Sequence, residues 1–367
     1  MKIVAINVFE KIYHLQPGPF TMSGHRVVST QHGTIVRVEA DTGDFGWGEQ
    51  CSFSPAYIPG HAAATQAVLP LLAAAIMGSD PREVETVHDL MGAVVVGHEY
   101  AKSALDIACW DLLGRSTGLR VSELLGGTRC EEVPLYKAVS LGDPSAMAER
   151  SVQVRKEGFP FLQVKVGDAW RDDVRRVIAC AEAAPDFERV VVDANGHLPQ
   201  HDAIRLAAHL QGLDLYLEQP CATTRECHEV RKQSRRPMVL DESLTDFPSL
   251  LNALEKGALD VARLKLSRFG GITPLRKARD ICASMGVAVS IEDSAGGDVV
   301  SAAALHVAAS IPADRRFDAF IPVTEVREHI ARVPLRPVDG KARLPLGAGL
   351  GVDVDAEALG PAVARFR

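Results

Sequence analysis

Leu162-Gln163-Val164-Lys165, Val190-Val191-Val192-Asp193, Leu215-Tyr216-Leu217-Glu218, Met238-Val239-Leu240-Asp241, Val261-Ala262-Arg263-Leu264-Lys265 and Val287-Ala288-Val289-Ser290-Ile291-Glu292-Asp293 are six short, mostly apolar runs, each closing on an ionisable side chain. Those side chains stand 28, 25, 23, 24 and 27 positions apart, counting from Lys165 through Asp193, Glu218, Asp241 and Lys265 to Glu292. One strand–helix unit of a closed (β/α) barrel is about that long, since about 250 residues make eight of them. Two further runs, Pro134 to Val139 before and Phe317 to Ile321 after, bring the strands to eight. Amphipathic patterns lie between, among them Arg171 to Glu182, Ala203 to Leu210 and Pro274 to Met285. Mostly apolar strands alternating with helices mark a parallel sheet buried on both faces. The expected fold class is α/β, a modified TIM-like (β/α) barrel over residues 126–325. An open doubly wound sheet is the competing arrangement, but no Gly-x-Gly-x-x-Gly follows any strand, so its nucleotide-binding form has little support.

Residues 1–125 follow a different rhythm. Strand-like segments come first, Met1 to Phe9, Thr34 to Ala40 and Gly46 to Glu49, with Asp41-Thr42-Gly43-Asp44 as a hairpin turn. Helical patterns follow, His61 to Ile76, Arg82 to Met91 and Ala101 to Leu113. This is an α+β unit, placed N-terminal to the barrel as a capping domain, and residues 326–367 are expected to return to it.

A net charge of −7 and one short basic patch, Arg231 to Arg236, exclude a nucleic-acid partner. The most apolar stretch, Ala62 to Gly78, is broken by Thr65, Gln66 and Pro70 and is too short to span a bilayer, so no membrane partner is expected. Seven scattered cysteines suit free thiols in a cytoplasmic setting. Cys221, Cys227 and His228 lie close in sequence but lack the second ligand pair of a zinc site.

The six charged strand ends fall at the C-terminal rim of the barrel, where such barrels carry their active sites. A charge ending one strand is ordinarily a helix cap or a solvated loop residue. Six in phase, with three acids flanked by lysines, point to a site. Asp193, Glu218 and Asp241 on three successive strands would repel one another if buried without a cation. All-oxygen ligation favours a hard divalent ion, Mg²⁺ with Mn²⁺ as its substitute, and no histidine ends these strands as zinc would prefer. Lys165 and Lys265, on the second and sixth strands, face each other across the mouth and can serve the two faces of a bound substrate. As bases at neutral pH they need lowered pKa values, which burial and neighbouring cations supply. Abstraction of a proton beside a carboxylate, through an enediolate whose oxygens need a cation, is the chemistry this set fits.

At these residues the chain resembles the enolase superfamily, in its muconate-lactonizing subgroup. The resemblance covers essentially the whole chain. It rests on Tyr100-Ala101-Lys102-Ser103-Ala104-Leu105-Asp106-Ile107-Ala108, Leu162-Gln163-Val164-Lys165, Val192-Asp193-Ala194-Asn195, Leu217-Glu218-Gln219-Pro220, Leu240-Asp241-Glu242-Ser243 and Leu264-Lys265-Leu266-Ser267-Arg268. It implies Asp193, Glu218 and Asp241 as metal ligands and Lys165 and Lys265 as the acid/base pair; a lysine base with Mg²⁺ is this superfamily's general pattern. Gln163 stands where many members carry a first lysine. With Glu218-Gln219-Pro220-Cys221 and Gly296-Gly297-Asp298 it resembles the branch acting on proline-like substrates, which includes cis-3-hydroxyproline dehydratases and hydroxyproline-betaine epimerases. Leu135 to Ser140 and Ile291-Glu292-Asp293 look nearer the dehydratases. Ala295 replaces a tryptophan of some relatives, which counts against a quaternary ammonium substrate. Phe317-Asp318-Ala319-Phe320 lacks the Asp-x-Asp of dipeptide epimerases.

The resemblance further implies lids at Gly18 to His25 and Ser52 to Gly60, with Tyr57 at the substrate and Phe20 and His25 as weaker candidates. Asn195 and Glu242 are expected to support the metal, Asp293 to pair with Lys265 or another lysine, and Trp47 and Trp110 to pack within the capping domain. The expected partner is a small-molecule carboxylate, and a homo-oligomer is expected. The expected reaction is racemisation, epimerisation or dehydration of a proline-like or other small amino acid. A cycloisomerase or an N-acylamino acid or dipeptide epimerase is the alternative within the superfamily. A Schiff-base lyase using Lys165 or Lys265 is the alternative outside it.

Overall fold

A computed structural model describes residues 1–367. Eight strands, Tyr136–Val139, Phe161–Lys165, Arg189–Asp193, Tyr216–Glu218, Met238–Leu240, Val261–Lys265, Ala288–Glu292 and Arg316–Ala319, form one sheet in sequence order, each parallel to the next. The first and eighth are the only neighbours without a hydrogen-bonded ladder. Side chains close that seam: Tyr136 stacks on Phe320 with centroids 5.3 Å apart, and Lys137 pairs with Glu325 at 2.7 Å.

Alternation along the strands sorts their side chains into layers inside the barrel. At the bottom Arg189 lies between the rings of Phe161 and Phe317, and Val191, Val239 and Val261 join Phe317 in a small apolar cluster of their own. Two residues further along the strands come Gln163, Arg263 and Ser290. Lys165, Lys265 and Glu292 sit two residues above those, at the C-terminal rim.

The capping half is built on an antiparallel sheet in which Ile3–His14 pairs with Thr30–Ala40, and Thr30–Ala40 with Phe45–Ser52. The C-terminal strand Ala364–Phe366 adds to its edge beside Ile3–His14. The helix Glu99–Thr117 lies on this sheet at backbone contact, because a Cβ at Gly46 or Gly48 would collide with the carbonyls of Ala108 or Ala104. Its small residues Ala101, Ser103, Ala104 and Ala108 allow that approach. No helix is long and apolar enough to cross a membrane.

Two carboxylates of the capping half dock it to the barrel. The helix Asp298–Ala309 starts after Gly296-Gly297 with no cap of its own; Glu49 supplies one, accepting from the backbone N–H of Gly297 (2.8 Å), Val299 (3.1 Å) and Val300 (3.0 Å), and from the hydroxyl of Tyr13 (2.6 Å). The helix Ile272–Ser284 starts after Gly270-Gly271, and Asp106 accepts from Thr273 N at 3.0 Å. A Cβ at Gly271 would strike Asp106, and one at Gly297 would strike Tyr13. An anion at a helix N-terminus meets both orphan N–H groups and the positive end of the dipole. Gly296-Gly297-Asp298, which the resemblance associates with substrate class, therefore serves domain docking: Asp298 in turn accepts from Ile330 N and Ala331 N of the returning segment. Trp110 also differs from expectation. Buried in the core, it donates its indole N–H to Thr273 Oγ1 of the barrel at 2.8 Å, whereas Trp47 packs on Phe9 and Phe45 as expected.

Burial pushes the Glu49 carboxyl up from 4.5 to about 7, against the hydrogen bonds from Tyr13, Val300 and Gly297 that favour its charge. A folded-state value above the unfolded one means that the folded chain holds the proton longer. Stability from this group is full below about 4.5 and declines as pH rises through about 7. In urea unfolding the margin of the native chain over Glu49→Gln should therefore narrow between pH 5 and 8, by up to about 3 kcal/mol. A margin that widens with pH would contradict this.

Candidate active site

The rim residues converge as their spacing predicts. Lys165 is in register with Asp193, Asp193 with Glu218, and Lys265 with Glu292. Asp241 lies one residue beyond the end of its strand. All of these side chains are buried. The turns just after the third and fourth strands carry non-glycine residues at positive φ, Asn195 (44°) and Gln219 (32°). Such conformations cost about 1–3 kcal/mol and persist where hydrogen bonds hold them. Gln219 is held by accepting from Asp241 N (3.0 Å) and Ser243 Oγ (3.1 Å) while its amide donates to Cys221 O (2.9 Å), so it fixes the start of the loop bearing Asp241.

Each acid faces its own cations. Lys165 Nζ donates to Asp193 Oδ2. Lys265 Nζ bridges Asp241 Oδ2 (2.5 Å) and Glu292 Oε1 (2.9 Å). Arg268 Nη1 holds Asp241 Oδ1 at 2.7 Å. Gln163 donates to Glu218 Oε2 at 3.0 Å, and Arg263 Nε stands 2.7 Å from Glu218 Oε1. With the carboxylates so occupied, no three acidic, histidine or cysteine side chains are gathered at metal-ligating distances. The donor set nevertheless fits a hard cation. Glu218 Oε1 and Glu242 Oε2 are buried carboxylate oxygens that receive no aligned hydrogen bond. Burial, and then the charges of Asp193 and Asp241, push Glu218 well above the usual carboxylate range despite Arg263. Burial would raise Asp241 too, but Lys265 and Arg268 hold it below that range. A divalent ion relieves this crowding of negative charge.

Lys265 answers first to its carboxylate neighbours. Burial lowers its pKa, but Asp241 and Glu292 outweigh burial and raise it above the usual lysine value. Asp293 is also corrected: it pairs with no lysine, accepting instead from Ser267 N (2.9 Å) and Ser267 Oγ (2.6 Å), which pins the turn after Lys265. The lysine partner is its neighbour Glu292. Tyr57 is in the site, its hydroxyl donating to Glu242 Oε1 (2.7 Å) with Lys265 Nζ 3.3 Å away. His25 is exposed and reaches Asp168 at 3.3 Å, and it does not line the cavity described below.

A cavity of about 380 Å³ opens between the lysines, lined by Lys165, Lys265, Gln163, Tyr57, Phe20 and Asp293 among others. A cavity of this volume suits a small ligand. A model of the enolase C-terminal domain-like family matches residues 146–358, and a model of the mandelate racemase/muconate lactonizing enzyme N-terminal domain matches residues 3–126. The chain belongs to the mandelate racemase/muconate lactonizing enzyme family.

This family member is an enzyme of the enolase superfamily. It is 36% identical to a cis-3-hydroxy-L-proline dehydratase of Roseibium aggregatum, with 100% of both chains covered. It is 29% identical to an N-succinyl-L-Arg/Lys racemase of Bacillus cereus, over 84% of this chain and 85% of that one. Its fold superposes on a mandelate racemase/muconate lactonizing enzyme of Roseovarius nubinhibens solved in complex with magnesium, with a TM-score of 0.95, 34% identity and 100% of both chains covered.

Reading strand ends alone misses the layer beneath them. Arg263, 1% exposed, pairs with Glu218, Glu292 (3.1 Å) and Asp318 (3.2 Å), and lies under the ring of Tyr136. Tyr136 donates to Glu292. Arg263 precedes Lys265 by two positions, so strand alternation alone would have placed it inside the barrel. Removing one partner of a buried ion cluster leaves charges unpaired, at about 3–5 kcal/mol. Arg263→Met should lose that much stability in a urea titration, and a loss under about 1 kcal/mol would mean that the cluster is not coupled as described.

Proposed function

We propose that this enzyme removes the α-proton of a small cyclic amino acid carrying a β-hydroxyl, of the 3-hydroxyproline type, and expels that hydroxyl as water. The observation that carries the reading is the pair of lysines lining one cavity beside three buried carboxylates. The full-length relative that dehydrates cis-3-hydroxy-L-proline supports the substrate class.

Asp193, Glu218 and Asp241 would hold Mg²⁺. Such an ion would supply positive charge that offsets the three acids and stabilises negative charge developing on the substrate carboxylate. With Asp193 and Asp241 engaged in this way, Lys165 and Lys265 would be left facing the cavity, Lys265 still held by Glu292. One neutral lysine accepts the α-proton, and the electron pair of the C–H bond moves into the substrate carboxylate as an enediolate. Return of that pair breaks the β C–O bond, and a lysine ammonium gives its proton to the departing hydroxyl, so water leaves. Gln163 and Arg263 fix Glu218, Gln219 fixes the Asp241 loop, and Glu292, held by Tyr136, orients Lys265.

Epimerisation is the second reading, favoured by the presence of a lysine on each side of the mouth, which lets one remove the proton and the other return it to the opposite face. Both begin with the same abstraction. Proton NMR in D₂O with Mg²⁺, over prolines, 3- and 4-hydroxyprolines, their betaines and short dipeptides, separates them. The expected result is complete loss of a 3-hydroxyproline, abolished by EDTA and reduced about 10²–10⁴-fold in Lys165→Ala and Lys265→Ala. Exchange of the α-proton without loss of the substrate would select epimerisation. Exchange on none of these compounds would refute the proline-like assignment.

A further inference from the structure

Two loops of the capping half cross the mouth, and each is tied to one member of a hydrogen-bonded pair of side chains, Asn195 and Glu242. From the first, Ser23, fully buried, donates its hydroxyl to Asn195 Oδ1 at 3.0 Å. From the second, Tyr57 donates to Glu242 Oε1 at 2.7 Å. Asn195 and Glu242 are themselves joined, Asn195 Nδ2 donating to Glu242 Oε1 at 2.9 Å. The same amide nitrogen donates to Asp193 Oδ2 at 3.0 Å, and the Asn195 backbone N–H donates to Asp193 Oδ1 at 2.8 Å. One residue thus grips both oxygens of Asp193, and its own amide oxygen is held by the lid.

The arrangement permits one orientation of the Asn195 amide. Its two N–H donors must face the carboxylates of Asp193 and Glu242, so its oxygen must face away, toward Ser23. The backbone there is in the left-handed region, which a non-glycine residue holds only under restraint. Other contacts place Ser23 for this bond. Gly24 N donates to Gly167 O (3.1 Å). Gly24 itself, at φ 67°, lies where a Cβ would strike the His197 ring. Arg26 reaches across to the second loop, its guanidinium 5.2 Å from the centre of the Tyr57 ring.

We infer that Ser23 and Tyr57 are positioning residues that couple closure of the two loops to the aim of the Asp193 carboxylate, through Asn195 and Glu242. The inference rests on the reading that Asp193, Glu218 and Asp241 hold a divalent cation. Coupling between two events is reciprocal: if the closed loops improve cation binding, cation binding closes the loops by the same factor. Lid closure then assembles the site as well as covering it, and an open enzyme holds its cation weakly.

The test uses the full-length chain and Mg²⁺ alone, with no substrate. Isothermal titration gives the Mg²⁺ affinity, and hydrogen–deuterium exchange with mass spectrometry follows residues 18–28 and 52–60. In the native chain Mg²⁺ should slow exchange in both segments. In Ser23→Ala the affinity should fall about tenfold, within the usual range of such couplings, and Mg²⁺ should no longer protect residues 18–28. Tyr57→Phe, which keeps the ring and removes only the hydroxyl, should do the same for residues 52–60 and provides the answer if Ser23→Ala folds poorly. Affinities within twofold of native in both variants, with protection intact, would overturn the coupling and leave the cation site standing. A native chain that binds no Mg²⁺ would overturn the cation reading and the coupling with it.

Discussion

Everything at the barrel mouth answers to one constraint, the burial of several carboxylates within reach of one another. Asp193, Glu218 and Asp241 end successive strands and are almost fully enclosed. Unpaired, they would be protonated or the fold would open. The protein meets the charge with Lys165, Lys265, Arg263 and Arg268, and Glu218 Oε1 and the nearby Glu242 Oε2 still lack an aligned donor. The result is a site with more buried charge than stability alone would select, because a buried ion pair is often no better than well-packed apolar residues. That excess is best understood as poised chemistry. The lysines that neutralise the acids are the groups that a cation on those acids would set free.

The same logic shapes the second layer. Arg263 lies below the rim and joins acids from the fourth, seventh and eighth strands. Its position carries charge balance into the barrel interior, where most such barrels pack branched apolar side chains. The apolar floor formed with Val191, Val239, Val261 and Phe317 keeps this polar zone away from the far end of the barrel. Interdomain docking also uses polar caps: Glu49 and Asp106 of the capping half each meet the start of a barrel helix.

Much of this was legible in the sequence. A spacing of 23 to 28 residues between charged strand ends is a property of the repeat itself, so the eight strands and the identity of the rim residues could be read from it. Asp193, Glu218, Asp241, Lys165 and Lys265 all arrive where the spacing puts them. What could not be read depends on how side chains choose among neighbours. Glu292 and Asp293 are adjacent, and strand alternation sends the first toward Lys265 and the second toward Ser267. Trp110 looked like a core residue of its own helix, but that helix has two buried faces, and one belongs to the barrel. The Gly296-Gly297 pair gave no hint of its partner, since Glu49 lies 247 positions earlier (296 minus 49). The raised pKa of Lys265 depends on distances to two carboxylates that spacing alone does not supply.

The central claim is that the three strand-end acids form one cation site whose occupancy frees the two lysines. Anomalous diffraction from crystals grown with Mn²⁺ tests it most directly, since Mn²⁺ scatters anomalously and takes the same oxygen ligands as Mg²⁺. The account predicts one strong peak bonded to carboxylate oxygens of Asp193, Glu218 and Asp241, with Lys165 and Lys265 turned out of their ion pairs toward the cavity. A peak elsewhere, or bound acids with both lysines still paired to Asp193 and Asp241, would contradict it.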